Sequence, residues 1–491
     1  MKMKMIISLL VVPVLSVWSQ TTVTPMEVRQ AGLHVVEITT VNGEEPQGEI
    51  IYSPINPDSY NFKYINKVPC RIVISHQDNI LFDSGEYAKN LSGATIRING
   101  NTTALYSDPL NMPYKLKLEK SADLLFRGND AYYGDKQWRL LKDAVSLNTI
   151  VALKLSQLLE MEWTADYIPC NVIINGDYRG CYLLIESVKR NDNCRIQCDQ
   201  LTGAIVERDP YWWKESTYFP SAWYSEDKES IYRWTWKYPD EKDLTEYTEQ
   251  YIENYINLTE ESLHLDNYPE YIDILSWAKW VLAHDILGTR DSGGANMYFK
   301  KYDDSENTRL SLPCIWDFDS SYEITPGSFS RLHTSSHAYF SALFSNHNRT
   351  FAKAYVDLWN QKKENIITQL KTFLSDFPTT TEAQALDKSR LLYNKRFQYE
   401  YPTVQDDVNH TLQWLNQHIQ PLDVAINSID VPATYIPQTI AADNTDLTTM
   451  PCYNLSGIKV HLKTCSSPIV ISRCSDGRVR KIVNRHAQNT R

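Results

Sequence analysis

Two acids and an amide supply the chemistry this sequence offers most plainly. Arg290-Asp291-Ser292-Gly293-Gly294-Ala295-Asn296 has R-D-x-x-x-x-N spacing. In phosphoryl transfer such an aspartate orients an incoming hydroxyl, and such an amide helps hold a divalent ion on the phosphates. Downstream, Trp316-Asp317-Phe318-Asp319 offers two more carboxylates, with Asp317-Phe318 in the place of a D-F-G metal ligand. On a strand, Asp317 and Asp319 would face one side. If Asp291 came within ~4 Å of them, each like-charge contact would cost on the order of 4 kcal/mol at an effective dielectric of 20, and a bound dication would relieve it. An isolated D-x-D is better explained by a solvated strand end without metal. Its position after a helix, a loop and a hairpin favours chemistry.

These groups need elements to carry them. Leu275, Ala278, Leu282 and Ile286 recur at helical spacing between Tyr271 and Leu287, and Gly288 follows as a C′ glycine. Asn296 to Tyr302 then reads as a strand, Asp303 to Asn307 as a turn, and Leu310 to Asp319 as a second strand. Upstream, Tyr114-Lys115-Leu116-Lys117-Leu118 alternates with period two, which puts both lysines on one face and both leucines on the other. Leu147, Val151, Leu155 and Leu159 make the stripe of an amphipathic helix. Asn171 to Ile174 and Cys181 to Glu186 flank Asn175-Gly176, a hairpin-turn dipeptide.

Short β-rich runs occupy Leu33 to Asn99, and the chain from Ser341 to about Ile429 is mostly helical, including Val408 to Ile426. The aromatic and charged stretch from Asp209 to Asp243 has no clean period and reads as a loop covering a groove. The expected fold is therefore α+β: a two-lobed, protein-kinase-like fold with a β-rich N-terminal lobe and a helical C-terminal lobe, plus a short β tail. The expected divisions are residues 1–19, 20–90 (β-rich), 91–430 (the body) and 431–491, a linker followed by short strands at Tyr453 to Val460 and Ile469 to Ile482.

Composition bounds the partners. The 491 residues carry a net charge of −11 and no long basic block, which argues against nucleic acid. Lys2 and Lys4 precede an apolar run from Met5 to Trp18. Residues 1–19 read as a signal peptide, so the expected location is secreted, cell-surface or periplasmic. The run is too short to span a bilayer comfortably and Pro13 interrupts it, and no transmembrane span is expected beyond it. The nine cysteines allow disulfides in an exported chain. Cys194/Cys198 and Cys465/Cys474 are the local pairs, whereas Cys170, Cys181 and Cys314 read as small core residues. His333 and His337 lack the third ligand that a zinc site needs.

Ile98-Asn99-Gly100-Asn101-Thr102-Thr103, the Lys115/Lys117 strand, the block from Val172 to Glu186, Asp291 to Asn296 and Trp316-Asp317-Phe318-Asp319 resemble, in this order, successive blocks of the CotH kinase family. The resemblance spans roughly residues 90 to 430. It implies an atypical kinase that uses ATP and Mg²⁺ to phosphorylate Ser, and by extension Thr, on protein substrates. It also implies roles: Asp291 catalytic, Asn296 and Asp317 metal ligands with Asp319 beside them, and Lys115 or Lys117 on the phosphates. Arg97 and Asn101 would belong to the phosphate cradle and Glu186 would lie near the adenine. The sequence departs from ordinary kinases in having no G-x-G-x-x-G loop and no mid-helix Glu to pair with a lysine. The alternative function is a surface adhesion or assembly protein that keeps a kinase-like shell without turnover.

Overall fold

The computed structural model describes residues 22–142, 146–221, 232–291, 296–333 and 338–431, with four short strands beyond them. After helix α1 (Pro25–Gln30) come β1 (His34–Thr40), β2 (Gly48–Tyr52), β3 (Tyr60–Tyr64), β4 (Val68–His76) and β5 (Asn79–Asp83). Then β6 (Ala94–Ile98), α2 (Thr102–Leu105), β7 (Tyr114–Ala122), α3 (Asp130–Tyr133) and β8 (Asp135–Leu141) follow. Helix α4 (Asn148–Leu158) leads to the hairpin of β9 (Tyr167–Ile174) and β10 (Asp177–Glu186). Its turn uses Asn175 at φ 52° and Gly176 at φ 80°, the positive pair that a two-residue hairpin demands.

Strand β1 bonds on both edges, parallel to β9 and antiparallel to β4. The order β1-β9-β10-β8-β7-β6-β4 therefore closes on itself as a seven-stranded barrel, with β5 appended to β4. Alternation fills the interior: Ile72, Ile96, Leu116, Trp138, Val172 and Leu184 are wholly buried in one cluster. Each aliphatic side chain buried this way contributes about 1.5–3 kcal/mol. The residues between them point outward, so Arg97, Lys115 and Arg139 sit on the barrel's outer wall.

A second sheet follows, built from β11 (Ala204–Asp209), β12 (Tyr218–Phe219), β13 (Arg233–Tyr238) and β14 (Met297–Lys301) in the order β12-β13-β11-β14. Between β13 and β14 the chain makes α5 (Glu246–Ser262) and α6 (Ile274–Leu287). Helix α6 is buried on nearly every face from Trp277 onward, as a central helix should be. It packs against α8 (Thr350–Asp376) and α10 (Val404–Asn427), and α7 (Ala338–Ser345) and α9 (Thr381–Phe397) complete this layer. Strands β15 (Cys452–Tyr453), β16 (Lys459–Val460), β17 (Ile469–Arg473) and β18 (Val479–Val483) form a small antiparallel sheet of their own.

The two-lobed kinase-like arrangement is thus overturned: the described residues form a closed barrel, further sheets and ten helices. The reason lies in edge pairing. Alternation tells which face of a strand is buried, but not which strands meet along its edges. Here β1 and β4, from before residue 90, close a seven-stranded barrel whose other strands come from after it.

No helix among the described residues is long and apolar enough to cross a membrane. Residues 1–19, expected as a signal peptide, lie outside the described residues, as do His337 and the Cys465/Cys474 pair. The expected Cys194/Cys198 disulfide is absent, and both thiols are free. Cys198 packs into an apolar cluster while the Cys194 sulfur approaches the Tyr133 carbonyl at 3.8 Å. Cys170, Cys181 and Cys314 are buried core residues. His333 pairs with buried Asp285 at 2.6 Å, where Tyr355 also donates to that carboxylate.

Candidate active site

Helix α6 stops at Gly288, whose φ of 57° and ψ of 46° are left-handed. A Cβ there would lie 2.4 Å from the Trp414 ring and 2.9 Å from Ile324, so glycine is needed on two counts. The following loop is laced to residues 320–323: the Asp291 amide donates to Ser320 Oγ at 3.0 Å, and the Tyr322 amide donates to the Leu287 carbonyl at 2.7 Å. Residues 292–295 fall outside the described part. When the chain resumes, Asn296 has φ 62°, and its side-chain amide donates to Asp317 Oδ2 at 2.9 Å.

The second hairpin strand, expected from Leu310 to Asp319, forms only as bridges at Leu310 and Ser311. Residues 312–319 are irregular and Asp317 has φ 64°, so strand alternation does not aim Asp317 and Asp319. Left-handed residues other than glycine are strained by on the order of 1–3 kcal/mol, and Asn and Asp tolerate it best. Both partners of the Asn296–Asp317 contact are held this way. Desolvation and then the charge of Asp291 push the Asp319 carboxyl above its ordinary range, and the Asn148 side chain donates to the Asp319 carbonyl at 2.7 Å.

Facing these acids is a row of cations across three neighbouring barrel strands. Arg97 on β6 lies directly opposite Lys115 on β7, and Lys115 lies opposite Arg139 on β8. Like charges in directly opposed positions destabilise a sheet. Burial, and then the charges of Arg139 and Arg97, lower the Lys115 pKa well below the usual lysine value. The guanidinium of Arg97 lies 4.0 Å from the Tyr64 ring centre and that of Arg139 lies 5.3 Å from the Trp316 ring. Buried Arg139 Nε has no hydrogen-bond partner among the described residues. A polyanion would relieve this row, as nothing in the row itself does.

Both sets line one cavity of about 1270 Å³. Arg97, Asn101 and Lys115 meet it from the barrel side, and Asp291, Asn296, Asp317 and Asp319 from the other. Two expected residues do not line it. Lys117 shares the outward face of β7 but is exposed beyond the cavity, and Glu186 alternates with cavity-lining Ile185 and so faces away. Glu186 pairs instead with Arg127 at 3.0 Å and Arg195 at 3.8 Å, in a buried cluster where desolvation raises its pKa.

Several lining residues were not anticipated. The aromatic stretch expected as a covering loop supplies β13 and the short turn before β12, and with them Lys214 and Lys237. Lys214 donates to Asn101 Oδ1 and to the Gly100 carbonyl, the latter at 3.2 Å, and burial lowers its pKa to about 8. Glu207 and Asp209 come from β11. Burial and then the Glu207 charge push Asp209 up to about 6. Alternation in Trp234-Thr235-Trp236-Lys237 was the available signal for Lys237, and Arg139 follows the same pattern on β8.

The donor types suit a hard dication. Asn296 and Asp317 offer oxygen ligands, and Mg²⁺ is typically held by one or two carboxylates, with phosphates and waters completing its shell. A cage made wholly of protein is not required, and no group of three or more His, Cys, Asp or Glu side chains among the described residues forms one.

No curated protein matches the sequence. The family model described as CotH kinase protein matches residues 96–419, a span that takes in the cation row, the acids and the helices behind them. Kinase-like chemistry, with nucleotide and metal use in general, is what that family indicates. Matched over most of its length, the chain belongs to the CotH kinase family.

Proposed function

We propose that this protein transfers the γ-phosphoryl group of ATP, with Mg²⁺, to Ser or Thr hydroxyls of protein substrates outside the cytoplasm. The observation that carries this reading is a single cavity with the Arg97–Lys115–Arg139 row on one wall and the Asn296–Asp317 contact on the other. Arg97, Lys115 and Arg139 would bind the phosphate oxygens, with Asn101 and the main chain beside it closing the cradle. Asn296 and Asp317 would hold the metal, supported by Asp319, and the ion would offset the negative charge of the phosphates. Asp291 orients the substrate hydroxyl and accepts its proton as the oxygen bonds to the γ-phosphorus. The bond to the β–γ bridging oxygen breaks and ADP departs. The apolar leader with Lys2 and Lys4 supports the extracytoplasmic location.

The test incubates purified mature protein with labelled ATP, Mg²⁺ and protein substrate beside Asp317→Ala and Asp291→Ala. Loss of one preorganised electrostatic group typically removes about 10²- to 10³-fold of rate, and both variants should fall by that order. Transfer that survives both changes overturns the site. Neither transfer nor a nucleotide-dependent thermal shift in the wild type would point instead to a non-catalytic adhesion or assembly protein.

A further inference from the structure

We infer that Glu207 is a positioning residue: with Lys237 it clamps the main chain at Asn296 and so sets where the Asn296 side chain meets Asp317. This rests on the proposed use of Asn296 as a metal ligand. Glu207 lies mid-strand in β11, with Thr235 of β13 opposite it on one edge and Tyr298 of β14 on the other. Its Oε1 accepts the Asn296 main-chain N–H at 3.2 Å, and its Oε2 takes Lys237 Nζ at 2.7 Å. The side chain is only 10% exposed, so both oxygens are committed to these partners.

The clamp falls where the sheet cannot act. Ladder pairing between β11 and β14 starts at Met297 opposite Arg208, one residue after Asn296. At Asn296 the backbone is left-handed, and a side-chain carboxylate takes the amide that a neighbouring strand would otherwise take. Asp209, two residues along the same face, is engaged elsewhere, accepting from the Tyr211 amide at 2.7 Å and Thr235 Oγ1 at 3.3 Å. Glu207 is the acid of the pair that reaches Asn296. Lys237 supplies the countercharge that a buried carboxylate needs.

Three variants of the full chain test this: Glu207→Ala removes the acceptor and the ion pair, Glu207→Gln keeps an acceptor for the Asn296 amide, and Glu207→Asp draws it back by one methylene. Two readouts apply: hydrogen exchange at the Asn296 amide, and Mn²⁺ affinity by electron paramagnetic resonance with ATP present. Groups that orient metal ligands typically change affinity by about 10- to 100-fold when lost. Glu207→Ala should accelerate exchange at Asn296 by at least about tenfold and weaken Mn²⁺ binding within that range, while Glu207→Gln stays within about threefold of wild type in both. Should Glu207→Ala not fold, Glu207→Asp carries the same expectation in the same direction. Exchange and Mn²⁺ affinity unchanged in Glu207→Ala, or Glu207→Gln as impaired as Glu207→Ala, overturns the clamp. Accelerated exchange in Glu207→Ala, in a protein whose wild type binds no Mn²⁺ at all, upholds the clamp and sinks the phosphotransferase reading instead.

Discussion

The two walls of the cavity are built by opposite means. The cation wall is regular: three adjacent strands of a closed barrel place Arg97, Lys115 and Arg139 in register, and the period of the sheet aims each of them. The acid wall is irregular: Asn296 and Asp317 sit in left-handed backbone, on segments held by side-chain and isolated main-chain hydrogen bonds rather than ladders. A polyanion needs a broad charged face, which a sheet supplies cheaply. A small ion needs oxygens converging on a point, and a regular strand spreads its same-face side chains too far apart for that.

The contrast can be broken hardest at the barrel. Trp138 is wholly buried among its inner side chains, and Trp138→Ala should cost about 3–5 kcal/mol of stability. A urea midpoint unchanged from wild type would mean the barrel is not the rigid wall. Gly288→Ala attacks the other side, forcing a Cβ against Trp414 at a left-handed position, and should cost about 2 kcal/mol. Because the barrel is untouched, binding of inorganic triphosphate should persist while phosphoryl transfer falls. Loss of both together would erase the distinction.

Asp209 sharpens the comparison through pH. Its carboxyl titrates near 6 in the folded protein, above its ordinary value, so the folded state binds the proton more tightly than the unfolded state. Stability from this group is present at low pH and is lost as pH climbs from about 4 to about 6. Asp209→Asn should therefore match wild type at about pH 4 and exceed it by on the order of 2 kcal/mol at pH 7. Thermal melts across that range would reverse the assignment if the gain appeared at low pH. The smallest effect should come from Lys117→Ala, within about 0.5 kcal/mol in stability, with transfer unchanged. Lys115→Met, one alternation away, should weaken triphosphate binding measurably by calorimetry. Equal losses from the two lysines would mean that the cavity does not discriminate between them.

Much of the local structure was legible in the sequence because it follows from period and punctuation. The alternation around Lys115, the stripe from Leu147 to Leu159, the Asn175-Gly176 turn and the Gly288 stop each need only a few neighbouring residues to specify them, and each forms as read. The order of blocks was enough to bring Asp291, Asn296 and Asp317 to one cavity. What was illegible depends on partners distant in the chain. No residue near β1 announces that it will bond both β4 and β9, and that pairing turns an expected β-rich lobe into a closed barrel. Lys115 and Lys117 are equivalent by alternation, and only the position of the second sheet separates them. Asp317 read as a strand residue because its neighbours Ile315, Trp316 and Phe318 suit a strand, whereas tertiary contacts hold it left-handed. Glu207 and Lys237 carried no motif, since their importance comes from one main-chain amide far along the chain.

The parallel pairing of β1 with β9 has a consequence for how the protein is made. Strand β1 leaves the ribosome long before β9 exists, and until Ile174 has emerged its second edge stays open, an apolar strand with unsatisfied amides. The seam therefore closes late, by contact between segments remote in sequence, the kind of step that is slow and exposes nascent chains to mispairing. A chaperone that shields the first strand during that interval would act where this fold is most vulnerable.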